Sequence, residues 1–278
     1  MNKNSKIHLF IDEAGDTTFF GKGKQNIVGH NGVSQSFMLG MVQVKTDLTV
    51  IRAEIDKVAL GIEKSSYYTK IPSVQKRIEK YGKFVFHAKD DIPEIRKEFY
   101  DFLLTQNFSL QVIVGRKILS LFIKKHNSNG NEFYADLLSH LLKDKFKHQK
   151  IVLNIAERGS STSEINIEIA IQKAKIRAVK NSKSNQNINN CQIVANVQPY
   201  NRDQLLSLAD YSLWAVQRVF EKGETRFYDY ICGKISLVVD LYDYQDKNKP
   251  KWYNYYSGKN KLSEKNKINP NKLDPLNG

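Results

Sequence analysis

Acidic side chains cluster close to the start of the chain. The segment FIDEAGD, residues 10 to 16, places three carboxylates, those of Asp12, Glu13 and Asp16, at the end of an apolar run. Like charges this close repel one another unless water, hydrogen bonds or a cation compensate them. Gly15 permits a sharp turn at this point. The segment therefore indicates either a turn in which Asp16 caps local N–H groups, or a cation site.

Two further acids occupy costly positions later in the chain. Glu157 ends the apolar row formed by Ile151, Leu153 and Ile155, which would share one face of a strand. By itself this position indicates an ion pair with the following arginine or a nearby lysine. Asp210 lies in the segment LLSLADYSLWAV, on an apolar helix face. A buried carboxylate needs a partner, which is either a basic or hydroxyl side chain or a metal ion.

Considered together, these acids predict a metal-dependent active site. Asp12 and Glu157 follow strands and Asp210 lies on a late helix, so all three could meet at one edge of a sheet. Clustered carboxylates are the hard oxygen ligands that Mg²⁺ and Mn²⁺ prefer. Two such ions about 4 Å apart can activate water and stabilise the leaving oxygen of a phosphodiester.

Strand and helix patterns alternate along the chain and would position these acids. Apolar runs predict strands over 7–11, 36–44, 109–115, 150–157 and 189–199, with a short strand-like run at 84–86. Helical spacing predicts helices over 47–63, from 93, over 132–146, over 161–179 and from about 202 to 220. Capping signals at three of the helix starts are Asp91 with Glu94, Ser161 with Glu164, and Asn201 with Gln204. The alternation predicts an α/β domain with a mixed sheet flanked by helices.

The charge balance favours a polyanionic partner. Lys and Arg number 43 against 29 Asp and Glu, which gives a formal net charge of +14. Nucleic acid is the first candidate and an anionic membrane surface the second. A lysine-rich surface typical of an AT-rich genome is the plainer explanation. Apolar runs are too short for a membrane span or a signal peptide, so we expect a soluble cytoplasmic protein without membrane association.

Three segments resemble a known protein family. FIDEAGD, ERGS and LLSLADYSLWAV, in this order over roughly residues 6–222, resemble the uncharacterised microbial domain-of-unknown-function family 3800. Its members typically open with Tyr-Ile-Asp-Glu-Ser-Gly-Asp, and it is grouped with the ribonuclease H-like superfamily. The resemblance implies a ribonuclease H-like mixed sheet with added helical segments over residues 1–245. It also implies that Asp12, Glu157 and Asp210 bind the metal, with Glu13 as a fourth candidate.

The chain departs from the family pattern in two ways. Phe10 and Ala14 replace the usual tyrosine and serine, which leaves every carboxylate in place. Enzymes of the superfamily usually place one acid on the helix after the first hairpin. Here that helix offers only Glu54, Asp56 and Glu63, none of them in a recognisable motif.

Weaker signals complete the set of candidates. Asp16 is a secondary metal ligand, and His87 is a general base, a phosphate contact, a weaker metal ligand or a structural residue. The basic stretch over 172–183 is either a phosphate-binding face or a solvated helix surface. Residues 246–278 predict a basic, partly ordered tail in which KWYNYY could dock on the core.

Two functional hypotheses follow from these observations. The first is a metal-dependent nuclease that acts on RNA or DNA. The second is a non-catalytic module that keeps the fold and binds nucleic acid or protein. The settings of similar proteins imply a phage-defence or toxin system, in which a protein partner is expected.

Overall fold

The structure, a computed structural model, describes residues 6–181, 188, 190–243 and 253–270. The strands are β1 (Lys6–Gly15), β2 (Ser36–Val44), β3 (Phe108–Arg116), β4 (Lys150–Ala156), β5 (Gln192–Gln198), β6 (Ile235–Leu241) and β7 (Tyr253–Tyr256). The helices are α1 (Leu48–Lys64), α2 (Pro72–Tyr81), α3 (Pro93–Thr105), α4 (Leu119–His126), α5 (Gly130–Leu142), α6 (Glu164–Asn181), α7 (Leu206–Lys222) and α8 (Arg226–Ile231).

The strands form one mixed sheet of seven strands in the order β5-β4-β1-β2-β3-β6-β7. β1, β2 and β3 are antiparallel neighbours, whereas β4 and β5 run parallel to β1. β6 runs parallel to β3, and β7 closes that side as an antiparallel edge strand. The expected α/β class, a mixed sheet flanked by helices, is confirmed, whereas the ribonuclease H-like assignment stays a prediction.

Helices cover both faces of the sheet, and glycines in the strands allow two of them to come close. A Cβ atom on Gly40 of β2 would lie 3.1 Å from Leu213 of α7. A Cβ atom on Gly115 of β3 would lie 2.8 Å from Leu137 of α5. No helix in the described ranges is both long and apolar enough to cross a membrane.

Several elements differ from the sequence predictions. The run at 84–86 is not a strand: its side chains are buried, but it pairs with no strand of the sheet. The strand β6 was not predicted, although it is largely buried and lies between β3 and β7 in the sheet. Within the expected tail, β7 joins the sheet, and Leu262 and Ile268 are buried in the core. Trp252 of the KWYNYY segment lies outside the described residues.

The three predicted capping boxes are wrong. α3 begins at Pro93 and α7 begins at Leu206, and neither has a side-chain cap. Ser161 donates to Asn131 instead of capping α6. Some of these residues instead bind partners distant in sequence, as Ser161 does with Asn131. Gln204 for example donates to Asp56 of α1.

Candidate active site

An opening forms where two parallel strands of the sheet separate. β1 and β4 are paired as far as Ile11 and Ile155. Beyond that point β1 continues to Gly15 and pairs only with β2. Crevices at the carboxyl ends of parallel strands are common ligand sites in open α/β sheets. Asp12 is the first residue of β1 past the last β4 pair, so it stands at the entrance of this opening.

A cavity of about 220 Å³ occupies the opening and contains most of the predicted site residues. Its lining residues are Asp12, Glu13, Phe86, His87, Ala156, Glu157, Arg158, Tyr200, Leu206, Ser207 and Asp210. The structure thus brings together the four principal predicted carboxylates and His87. Asp16 lines only the adjoining groove.

Asp12 and Asp210 interact electrostatically although they are almost two hundred residues apart. Asp12 pairs in register with Gly40, the glycine against which Leu213 of α7 packs. The close approach of α7 therefore brings Asp210, one turn before Leu213, to the same face of the sheet. Burial raises the pKa of Asp12 well above its usual range, and the negative charges of Asp210 and Glu13 raise it further.

Asp210 is held by the backbone of the loop that follows α2. Its Oδ2 accepts a hydrogen bond of 2.7 Å from the N–H of Ala88. Burial raises the pKa of Asp210 to about 6, and the neighbouring His87 and the Ala88 N–H oppose this rise. A carboxylate with such a pKa loses its charge readily in the absence of a cation, which is typical of functional sites.

Glu13 points to the opposite face of β1 from Asp12, yet it reaches the same opening because β4 does not continue beside it. Its side chain is 8% exposed, and its Oε1 lies 3.2 Å from Nη1 of Arg158. Its other oxygen, Oε2, is buried without a hydrogen-bond partner among the described residues. Burial raises the pKa of Glu13 even though Arg158 lowers it.

Glu157 lies at the rim of the cavity. The row of Ile151, Leu153 and Ile155 before it is buried, as the sequence predicts. Glu157 itself is exposed, and its N–H donates to the carbonyl of Gln198. Its carboxylate is therefore available to solvent and to a ligand in the cavity.

The loop over residues 82–92 presents His87 to the cavity. Asp91 holds the loop from within, because it accepts hydrogen bonds from the N–H of His87, from Arg77 and from the hydroxyl of Tyr211. This role replaces the helix cap predicted for Asp91. Oδ2 of Asp90 lies 3.2 Å from Nδ1 of His87, although Nδ1 makes no hydrogen bond among the described residues.

Asp16 has a set of partners that accounts for its charge without a metal. It accepts hydrogen bonds from the N–H and hydroxyl of Ser34, from the N–H of Thr18 and from Nζ of Lys117. These donors lower its pKa although burial opposes them. Asp16 therefore ties the start of the loop between β1 and β2 to Ser34 at its end and to Lys117 just after β3.

A larger groove of about 770 Å³ adjoins the cavity and shares Glu13, His87, Arg158 and Asp210 with it. Its basic lining residues, besides Arg158, are Lys89, Arg218 and Lys222. Trp214 also lines the groove and is flanked by Arg96 and Arg218. The groove thus places positive charge and an aromatic face beside the acidic cavity.

Sequence reasoning missed two residues of the cavity. The sequence offered Arg158 or a nearby lysine as the partner of Glu157, but Arg158 binds Glu13 and the carbonyl of Gly15. Tyr200 follows β5, and its hydroxyl hydrogen-bonds that of Tyr81. A signal for both was their position just after a parallel strand, where the crevice of such a sheet opens.

The donor chemistry of the cavity fits a divalent cation. Mutual repulsion of Asp12 and Asp210 and the unpartnered Oε2 of Glu13 would both be relieved by a positive ion. Across the described residues, however, no three His, Cys, Asp or Glu side chains are arranged to hold a metal as they stand. The acids Glu54, Asp56 and Glu63 do not reach the cavity, because each is hydrogen-bonded elsewhere: Glu54 with Gln106, Asp56 with Gln204, and Glu63 with the N–H of Phe84.

Comparisons with known proteins give weak structural similarity only. No family model matches the chain, and no curated protein matches it. Among solved structures it is similar to the complex of PCNA with RNase HII from Archaeoglobus fulgidus, with a TM-score of 0.39 and 10% sequence identity. The match covers 76% of this chain and 73% of the other. Membership of the domain-of-unknown-function family 3800 stays a prediction.

Proposed function

We propose that this protein is a divalent-metal-dependent nuclease that hydrolyses phosphodiester bonds in RNA or DNA. The observation that carries the proposal is the meeting of Asp12 and Asp210 in one cavity, where each side chain is partly buried and has a raised pKa. Two repelling carboxylates with little access to water are costly for stability. A cation that binds between the two carboxylates would offset this cost, which explains why both acids lie in the cavity.

Asp12 and Asp210 would hold Mg²⁺ or Mn²⁺, with Glu13 and the exposed Glu157 completing the ligand set. The bound ion supplies Lewis-acid stabilisation of the charge that develops on the phosphodiester oxygens. His87 lines the cavity and the groove, so it is placed to contact a phosphate or to move a proton.

The adjoining groove supports nucleic acid as the substrate. Lys89, Arg158, Arg218 and Lys222 line it, and the chain as a whole carries a formal charge of +14. Basic side chains bind phosphates largely independently of sequence.

The test is cleavage of end-labelled single- and double-stranded DNA and RNA, each with Mn²⁺, Mg²⁺ or a chelator. We expect metal-dependent cleavage by the wild-type protein and none by Asp12→Asn or Asp210→Asn, which remove charge but keep shape. Asp144→Asn, at an exposed carboxylate remote from the cavity lining, is the matched control and should cleave normally. If the wild type cleaves nothing with either ion, or if both cavity variants stay active, the nuclease proposal is wrong.

A second candidate function is a non-catalytic binding module. The ion pair between Arg158 and Glu13 favours it, because an arginine already supplies positive charge among the acids. Binding of nucleic acid without cleavage, unchanged by Asp210→Asn, would support this candidate. A phage-defence or toxin setting with a protein partner is compatible with either function.

A further inference from the structure

The strand β5 ends the sheet with an edge that no described strand pairs with. Among the described residues it pairs with β4 alone. Gln192 donates to the carbonyl of Gln149 and Gln198 accepts from the N–H of Glu157, so both bond toward β4. Alternation along a strand then turns the N–H and C=O groups of Ile193, Ala195 and Val197 outward. None of the seven residues of β5 is charged or proline, although edge strands usually carry such features to block pairing.

Apolar surface continues from this edge onto α6. Ile165 is 75% exposed and Ile176 is 58% exposed on this helix, and Ile169 is also exposed. Between α6 and β5 lies an open groove of about 600 Å³ with a mixed lining: the apolar residues are Ile167, Ile171, Ile193, Ala195 and Val197, and the polar ones are Thr162, Glu164, Glu168, Gln172 and Lys175. An exposed apolar patch beside an unpaired edge marks an interaction surface.

Charge along α6 is divided between its two halves. Glu164 and Glu168 lie in the first half, and Lys173, Lys175 and Lys180 lie in the second. α6 crosses between the parallel strands β4 and β5, so it runs antiparallel to both. A second copy related by a two-fold axis would therefore set the acidic half of one α6 against the basic half of the other.

We propose that β5 pairs antiparallel with β5 of a second copy of this chain, which forms a homodimer with a continuous sheet. Two-fold symmetry requires a self-complementary surface. This surface meets that requirement in its backbone edge, its apolar patch and its divided charge. We choose a second copy as the partner because the acidic half of α6 would face the basic half of an antiparallel α6 in that copy. The dimer does not depend on the proposed nuclease activity.

Sedimentation velocity of the full chain from about 1 to 100 µM tests the proposal, a range that covers typical weak to moderate dimers. We expect a dimer for the wild type. Ala195→Pro removes an outward N–H while leaving the β4 bonds in place, since edge strands tolerate proline there. Loss of one hydrogen bond in each copy should weaken dimerisation by about tenfold or more. A thermal melt checks that this variant folds.

Charge reversal on α6 gives an independent test that leaves the backbone unchanged. Glu168→Lys should weaken the dimer by about threefold to tenfold, since it replaces attraction by repulsion at two symmetric places. Adding Lys175→Glu should restore affinity. Glu79→Lys changes the same charge at an exposed site on α2 and should leave dimerisation unaffected. A monomeric wild type throughout the range, or dimers that ignore both Ala195→Pro and Glu168→Lys, would overturn the proposal.

Discussion

Replacing Asp210 by asparagine should stabilise the protein in the absence of metal. Burial raises the pKa of this carboxyl from 3.8 to about 6, and each pKa unit corresponds to about 1.4 kcal/mol. Above pH 6 the charged side chain therefore costs about 3 kcal/mol of folding stability. The amide can still accept from the N–H of Ala88, and the net pKa already includes the stronger bond that the charged form makes with this group. The net expectation is therefore a gain of about 3 kcal/mol, or roughly 6 °C in Tm.

The sign of the pH dependence follows from the same shift. The native state of the wild type binds the proton more tightly than the unfolded state does. The stability cost of the charged Asp210 is therefore fully present above pH 6, and it disappears as the pH falls through 6 toward 3.8. The stability difference between Asp210→Asn and the wild type should be largest near pH 7.5 and vanish near pH 4. Asp144→Asn, at an exposed position, should differ little from wild type throughout.

Urea unfolding with a chelator present, repeated over this pH range, measures the difference. Added Mn²⁺ should then raise the Tm of the wild type but not that of Asp210→Asn, because a ligand that binds only the native state stabilises it. If Asp210 is instead half of a buried ion pair with His87, Asp210→Asn would lose about 3–5 kcal/mol. A strongly destabilised variant beside a metal-indifferent wild type would refute the reasoning.

Three further outcomes are expected. Nucleic-acid affinity should fall with rising salt, with a log–log slope of about −0.9 for each phosphate of duplex DNA contacted; a flat salt titration would argue against the basic groove. Truncation after Tyr256 should cost about 3–6 kcal/mol in chemical denaturation, because it removes the buried Leu262 and Ile268; an unchanged midpoint would contradict that role. Asp16→Ala should cost about 3–5 kcal/mol, because it leaves the fully buried Lys117 without this partner; an unaltered Tm in thermal melts would contradict a structural role for that ion pair.

Local patterns in the sequence predicted the elements that carry the candidate site. Strand alternation identified the buried rows before Asp12 and Glu157, and helical spacing identified the apolar face around Asp210. Both patterns depend on neighbours only a few residues apart, so the sequence by itself contains them. A carboxylate that ends or interrupts an apolar pattern is visible for the same reason. The mixed sheet and the principal acidic residues of the cavity were therefore predictable.

Tertiary structure alone decided which partners the polar residues have. Asp91 resembles a helix cap in sequence, yet it binds Arg77 and Tyr211. Arg158 stands beside Glu157 in the chain, yet it binds Glu13. A hydrogen bond or ion pair between distant segments depends on how helices and strands pack, so the spacing of neighbouring residues cannot predict it. The sequence therefore determined which acids are costly to bury. Only the tertiary structure decided that these acids share one cavity, because β1 and β4 separate at that point and α7 packs on Gly40.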